Sequence, residues 1–230
     1  MKQQLLIFDL DGTLIDSRHD LSAGINLMRR HYNLPPLDVD TVAGFIGDGV
    51  RNLVKRSLAG ETIDIDEAVR VNSRFYLEHI HDRTVLYPGV AAGLPALRAH
   101  GHVLALISNK GARACKIILD HFKIADFFAS IIGGDSGLPL KPDPAAVRET
   151  MRLVNMNAAE TWIIGDNHTD LAAARNAVVK SVYVSYGIGK TGPENATLNF
   201  ADFNSLVEFF LCRGRACRGP IKWTSQTKPL

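Results

Sequence analysis

Residues 5–17 read Leu-Leu-Ile-Phe-Asp-Leu-Asp-Gly-Thr-Leu-Ile-Asp-Ser, and the segment changes character at its fifth position. The apolar run Leu5–Phe8 stops at two carboxylates, Asp9 and Asp11, with Gly12 and Thr13 directly after them. Burying an unpaired carboxylate at the end of a core strand costs on the order of several kcal/mol, so such groups need a cation or a task. In extended backbone, positions i and i+2 point the same way, so Asp9 and Asp11 can address one site. Gly12 permits a sharp turn, and successive amides in such a turn can cradle an anion. Two acids beside an anion nest imply a divalent cation and a phosphate meeting at a strand end.

Further short apolar runs follow the same plan. Val103–Ile107, Ser130–Ile132, Trp162–Ile164 and Val182–Val184 each precede a turn signal, and helical patterns lie between them at Gly111–Phe122, Pro144–Val154 and Thr169–Ala177. Alternating buried strands and helices predict an α/β fold, a Rossmann-like parallel sheet with helices on both faces. Right-handed crossovers then bring all strand C-terminal ends to one edge, where such sheets bind ligands.

Between Asp16 and Val85 no strand pattern appears, but three amphipathic stripes do: Leu21, Ile25 and Met28; Val50, Leu53, Val54 and Leu58; and Val69, Phe75, Tyr76 and Ile80. An insertion of this size is too long for a loop, so it is expected to be a small helical cap lying over the site as a lid. The expected division is an α/β core of residues 1–16 and 86–212, a helical cap of residues 17–85, and a flexible basic tail of residues 213–230. Hinges are expected near Ser17–Arg18 and Leu86–Gly89.

Each later strand also ends in polar chemistry: Ser108-Asn109-Lys110, then Lys141-Pro142-Asp143-Pro144, then Gly165-Asp166-Asn167-His168-Thr169-Asp170. Taken singly, Asp166, Asp143 and Ser108 read as helix N-caps, and Lys141 as a solvated surface lysine. Taken together, strand ends that converge on one edge and supply acids, a hydroxyl and a lysine in this order are not expected of independent caps.

These motifs resemble those of the haloacid dehalogenase superfamily: DLDGT at Asp9–Thr13, ISN at Ile107–Asn109, KPDP at Lys141–Pro144 and GDNHTD at Gly165–Asp170. The resemblance spans roughly residues 3 to 190. The helical insertion, with the segment Phe45–Val54, is similar to the cap and specificity loop of the family's phosphoglycolate phosphatase branch. One departure stands at Val178, where relatives usually carry Gly after Ala177. A β-branched residue suits a left-handed cap poorly, so a changed turn is expected there.

The resemblance implies a phosphomonoester hydrolase that works through an aspartyl-phosphate, with Mg²⁺ as cofactor. It gives Asp9 the role of nucleophile, and makes Asp9 and Asp166 metal ligands by side chain and Asp11 by its carbonyl. The Asp11 carboxyl would protonate the leaving alkoxide and then activate water. Ser108, Asn109 and Lys141 would hold the phosphate, with Thr13 and Asp170 supporting them. Gly47, Gly49 and Arg51 would meet the organic end of the substrate, Arg51 as carboxylate binder or as a structural ion pair. Asp11 also separates the readings within the superfamily, because a halide leaves without a proton and an alkoxide does not. A small ester such as 2-phosphoglycolate is the expected substrate. The alternatives are a phosphosugar mutase of the same fold and a non-catalytic phospholigand-binding module, although no motif residue is missing.

Bulk properties bound the partners. The formal charge of +2 comes from the last 18 residues, which carry five cations and no acid; the rest holds 21 basic against 24 acidic residues. That body does not suit nucleic acid. Three widely spaced cysteines argue for a reducing compartment rather than a disulfide framework. No run approaches a membrane span. The expectation is a cytoplasmic monomer or homodimer acting on a small phosphorylated metabolite.

Overall fold

A computed structural model describes residues 3–212. Strand β1 (Leu5–Phe8) leads through a two-residue strand β2 (Ile15–Asp16) into four helices: α1 (Arg18–His31), α2 (Val39–Ala43), α3 (Val50–Ser57) and α4 (Ile65–Glu78). The chain returns through β3 (Val85–Leu86) to α5 (Val90–Ala99), β4 (Val103–Ile107), α6 (Ala112–His121), β5 (Phe128–Ile132) and α7 (Ala145–Leu153). It closes with β6 (Thr161–Gly165), α8 (His168–Ala177), β7 (Lys180–Val184), β8 (Leu198–Phe200) and α9 (Phe203–Cys212).

Six strands form one parallel sheet in the order β5-β4-β1-β6-β7-β8. The order reverses at β1, the place where open α/β sheets leave a crevice. Register makes that crevice specific. Phe8 pairs with Leu106 on one side and Ile164 on the other, so Asp9 emerges level with Ile107 and Gly165, one residue short of Ser108 and Asp166.

Side chains alternate between the two faces as the pleat requires. Leu5, Ile7, Ala105, Ile107 and Ile163 pack with Ala146 and Val147 of α7 and Ala173, Ala174 and Ala177 of α8. Leu6, Phe8, Leu104, Leu106, Trp162 and Ile164 share the opposite core with α5, α6 and α9. The motif strands are therefore buried on both sides, and their polar termini are held on a rigid base.

Helices α1–α4 fall within the expected insertion. The first apolar stripe is buried as read, and in the second Leu53, Val54 and Leu58 are buried while Val50 is exposed; on α4 the inward residues are Ala68, Val71, Asn72 and Tyr76, while Val69 and Phe75 are only partly buried. Tyr76 and Ile80 of the third stripe are buried as read, but the small Ala68 and the polar Asn72 complete the inward face in place of Val69 and Phe75. The two connections pair as an antiparallel ribbon, Ile15 with Leu86 and Asp16 with Val85. Buried Asp20 ties α1 to the returning chain, accepting from the amides of Arg83 and Thr84 at 3.0 and 2.8 Å and from the Thr84 hydroxyl at 2.7 Å. Strand β8 leaves no mark in the sequence pattern because Leu-Asn-Phe is too short to show a period.

Two expectations fail. Val178 does not change the turn: it takes the left-handed conformation itself, with φ 58° and ψ 42°. Its side chain is 80% exposed, so packing adds no penalty, and the Val179 amide still bonds Ala174 O at 3.0 Å. Cys212 is disulfide-bonded, whereas Cys115 is free and buried. The partner of Cys212 lies outside the described residues, as does the basic tail of residues 213–230. Among the described residues no helix is long and apolar enough to cross a membrane.

A branched residue in the left-handed region is strained by about 1–2 kcal/mol. Val178→Gly is therefore expected to stabilise the protein by about 1 kcal/mol, raising the melting temperature by about 2–4 °C. Thermal unfolding of the two proteins checks this.

Candidate active site

The turn after β1 folds on itself. The amides of Gly12, Thr13, Leu14 and Ile15 all return to the carbonyls of Leu10 or Ile15 at 2.8–3.2 Å, so these four do not form the anion nest expected of them. Gly12 serves a different need. At its φ of +83°, a Cβ would lie 2.0 Å from Asp166 Oδ2, so only glycine lets the acid of β6 come this close. The Asp11 amide makes no hydrogen bond among the described residues.

Asp9 is buried between neighbouring strand ends. Its Oδ1 lies 3.0 Å from Lys141 Nζ, and no hydrogen bond of good geometry satisfies that oxygen. Lys141 also donates to Asp170 Oδ1 at 2.6 Å and to Ile107 O at 3.0 Å. Burial opposes its charge, but Asp170 and Asp9 more than offset this and hold the ammonium above its ordinary pKa. Burial pushes the Asp9 carboxyl up to about 6, against the attraction of Lys141.

Asp166 is 2% exposed. It accepts from Thr13 Oγ1 at 3.1 Å and from the amides of Ile188 and Gly189 at 2.8 and 2.7 Å. Burial, and then the charges of Asp170 and Asp9, raise it to about 7 despite those amides. Asn167, not Asp166, caps α8: its side chain accepts from the Thr169 amide, and Asp170 accepts from the Asn167 amide at 3.1 Å. Asp166 is thereby free to face the site.

Asp11 is partly buried. Ser17 Oγ donates to its Oδ1, and Lys110 Nζ lies 3.0 Å from its Oδ2. Ser108 lines the cavity, 4% exposed. The Asn109 side chain, by contrast, is taken up by backbone: it donates to Gly47 O and Lys141 O at 2.8 and 3.0 Å and accepts from the Lys141 amide at 2.8 Å. It acts as a strut between the core and the inserted helices.

Gly47 is where the insertion docks. Its φ is +119°, and a Cβ would lie 2.3 Å from Asn167 Nδ2. Gly49 and Arg51 line the same cavity, but the Arg51 guanidinium pairs with Asp66 at the surface. That cavity, of about 430 Å³, lies between the strand ends and α3 and α4, with Asp9, Asp11, Ser108, Lys110 and Asp166 on its core side.

The sequence motifs do not single out several residues found here. Lys110 is buried against Asp11 and also donates to Tyr76 OH at 2.8 Å; in the sequence Tyr76 reads only as part of an apolar stripe. Burial pushes the Tyr76 hydroxyl up to about 12. Tyr186 donates to Thr13 O at 2.8 Å, and the Gly187–Gly189 turn backs Asp166. The repeated glycines after β7 are the available signal for that turn.

Carboxylate oxygens of Asp9, Asp166 and Asp170 lie within 4.8 Å of one another, all buried. Asp170 is already committed to Lys141 and the α8 cap, which leaves Asp9, with its unsatisfied oxygen, and Asp166 as the pair suited to a hard divalent cation.

Residues 6–184 match the haloacid dehalogenase-like hydrolases, and the chain belongs to that family. The phosphoglycolate phosphatase of Psychrobacter arcticus is 39% identical over 226 residues, covering 92% of this chain and 97% of that protein. Its counterpart from Pseudomonas putida is 38% identical over 89% of this chain and 78% of its own length. The crystal structure of a predicted phosphoglycolate phosphatase from Haemophilus somnus superposes with a TM-score of 0.86 at 28% identity, over 91% of this chain and 98% of that one.

The raised carboxyl groups give the metal-free protein a sign-definite pH dependence. Folding holds protons on Asp9 and Asp166 up to about pH 6 and 7, against an ordinary value of 3.8 in the unfolded chain. Their contribution to stability is complete below about pH 4 and is lost as the pH rises through 6 and 7. A divalent cation held by Asp9 and Asp166 would need both ionised, so any increase in melting temperature on adding a divalent cation is expected to be larger at pH 7.5 than at pH 5.5. Melting curves in EDTA and in Mg²⁺ at the two pH values measure it.

Proposed function

We propose that this chain hydrolyses small phosphate monoesters, with 2-phosphoglycolate or a similarly small acid as substrate, through a phosphorylated Asp9. The observation that carries this reading is the arrangement of the first two acids. Asp9 lies buried against Lys141, while Asp11 opens on the same cavity with its carboxyl gripped by Ser17 and Lys110. The names of the relatives point to the same substrate.

In this reading the Asp9 carboxylate attacks phosphorus, forming a carboxyl–phosphate bond as the ester oxygen departs. The Asp11 carboxyl gives its proton to that oxygen, then takes one from the water that cleaves the aspartyl-phosphate, which restores both acids. Ser108, Lys141 and the Asp11 amide hold the phosphoryl oxygens in line, and Asn109 supports Lys141 from behind. The cation is proposed to be Mg²⁺, held by the side chains of Asp9 and Asp166 and the carbonyl of Asp11. It would supply charge neutralisation for the phosphoryl group. Residues 17–85 act as a cap over residues 1–16 and 86–212, with the Gly47–Arg51 loop closing on the organic end and excluding bulk water. All these groups belong to one chain, so a monomer or a homodimer serves equally, and a cytoplasmic setting suits a charged metabolite that does not cross membranes.

Released phosphate, measured with Mg²⁺ and 2-phosphoglycolate, tests the proposal. Asp9→Asn is expected to abolish steady-state turnover while the fold is kept; residual turnover near the parent level would remove Asp9 as nucleophile. Asp11→Asn is expected to lower kcat by about 10²–10⁴-fold, the usual worth of an acid–base group. A loss of only a few-fold would move that role elsewhere.

A further inference from the structure

One wall of the cavity carries polar groups that the phosphoryl chemistry does not use. Lys110, from the end of β4, lines the cavity together with Asn72, Ser73 and Tyr76 of α4. Its Nζ lies 3.0 Å from Asp11 Oδ2, donates to Tyr76 OH at 2.8 Å, and sits 4.7 Å from the centre of the Tyr76 ring. An ammonium has three N–H donors, so one remains. Tyr76 accepts from Lys110, which leaves its own O–H for another acceptor. Asn72 lies one turn before Tyr76 on the same helix face and is only 3% exposed. Its carboxamide makes no hydrogen bond among the described residues, and Oδ1 is buried without one. A buried amide left unpaired is costly, and proteins seldom keep one without use.

Of the other cations around the site, Arg113 of α6 lines the cavity but is exposed, and Lys141 and Arg51 are engaged elsewhere. Lys141 is enclosed by Asp9, Asp170 and Ile107 O. Arg51 is paired with Asp66, both side chains being more than 60% exposed. The apolar lining, Leu21, Ile46, Val50, Leu53 and Leu140, offers nothing to an anion.

We propose that Lys110, Asn72 and Tyr76 form the subsite that takes the carboxylate of a phosphorylated 2-hydroxy acid. Lys110 thus links the organic end of the substrate to the acid that serves the leaving oxygen. The fit is to a short substrate, because in a 2-phospho acid the carboxylate carbon is bonded to the carbon that bears the ester oxygen. This inference rests on the monoester hydrolysis proposed above.

The test compares kcat/KM for 2-phosphoglycolate with that for ethyl phosphate, which has a similar length and a neutral end, each with Mg²⁺. The parent protein is expected to prefer the acid. Lys110→Met is expected to lower both activities, since Lys110 touches Asp11, and to reduce the preference by about 10–100-fold, the worth of a charged hydrogen bond. Asn72→Leu is expected to reduce the preference by about 3–10-fold. It should melt no lower than the parent, because its amide has no partner to lose, so it decides the matter even where Lys110→Met does not fold. A preference that survives in both variants, or that collapses only in Arg51→Ala or Arg113→Ala, overturns the subsite while leaving the hydrolase reading intact. Absence of any preference in the parent overturns the subsite and the phosphoglycolate reading together.

Discussion

Four carboxylates and two ammonium groups share the carboxyl edge of the sheet, and their charges do not balance. Asp9, Asp11, Asp166 and Asp170 face Lys110 and Lys141, and all but Asp11 and Lys110 are buried. Burial of an uncompensated charge is among the costliest things a fold can do. The protein answers by committing both lysines to three of the acids and by raising the pKa values of Asp9 and Asp166. The rest of the arrangement stems from that imbalance. Gly12 lacks a side chain so that Asp166 can approach, Asn167 takes over the capping of α8, and Asn109 braces the backbone of Lys141. The site is electrostatically unfinished, and a doubly charged cation is the simplest completion.

The core of this site is legible in the sequence because each piece ends a buried apolar run. Leu5–Phe8, Val103–Ile107 and Trp162–Ile164 announce strands by composition, and residues directly after a buried strand in a parallel sheet must lie at its carboxyl edge. The unread parts fail for physical reasons. Lys110 and Tyr76 meet across 34 positions of sequence, and no periodicity encodes a contact between a strand end and a helix in an insertion. Asn72 looks like a polar residue on a solvated face, and the phase of α4 shows otherwise. The amides after Gly12 look free in the sequence, but the turn uses them itself.

Val178 gives a related lesson about local rules. The sequence rule that β-branched residues avoid the left-handed region is sound, and its energetic cost is about 1–2 kcal/mol. Hydrogen bonds at the end of α8 and the docking of β7 against β6 outweigh it. A rule that expresses a preference of this size predicts strain, not structure, wherever a helix must stop at a fixed place to feed a buried strand.

The ribbon of Ile15–Asp16 and Val85–Leu86 has a consequence for how this architecture can vary. Asp16 and Val85 are register partners, so the chain leaves the catalytic base and re-enters it at the same point. The excursion between them has no net displacement. Its closure entropy grows only with the logarithm of its length, so helices could be added, lost or exchanged there while the strand ends stay where they are. Such a layout lets the inserted helices drift in lineage time while the strand ends keep their places. Descendants of one catalytic base could thus come to serve very different molecules.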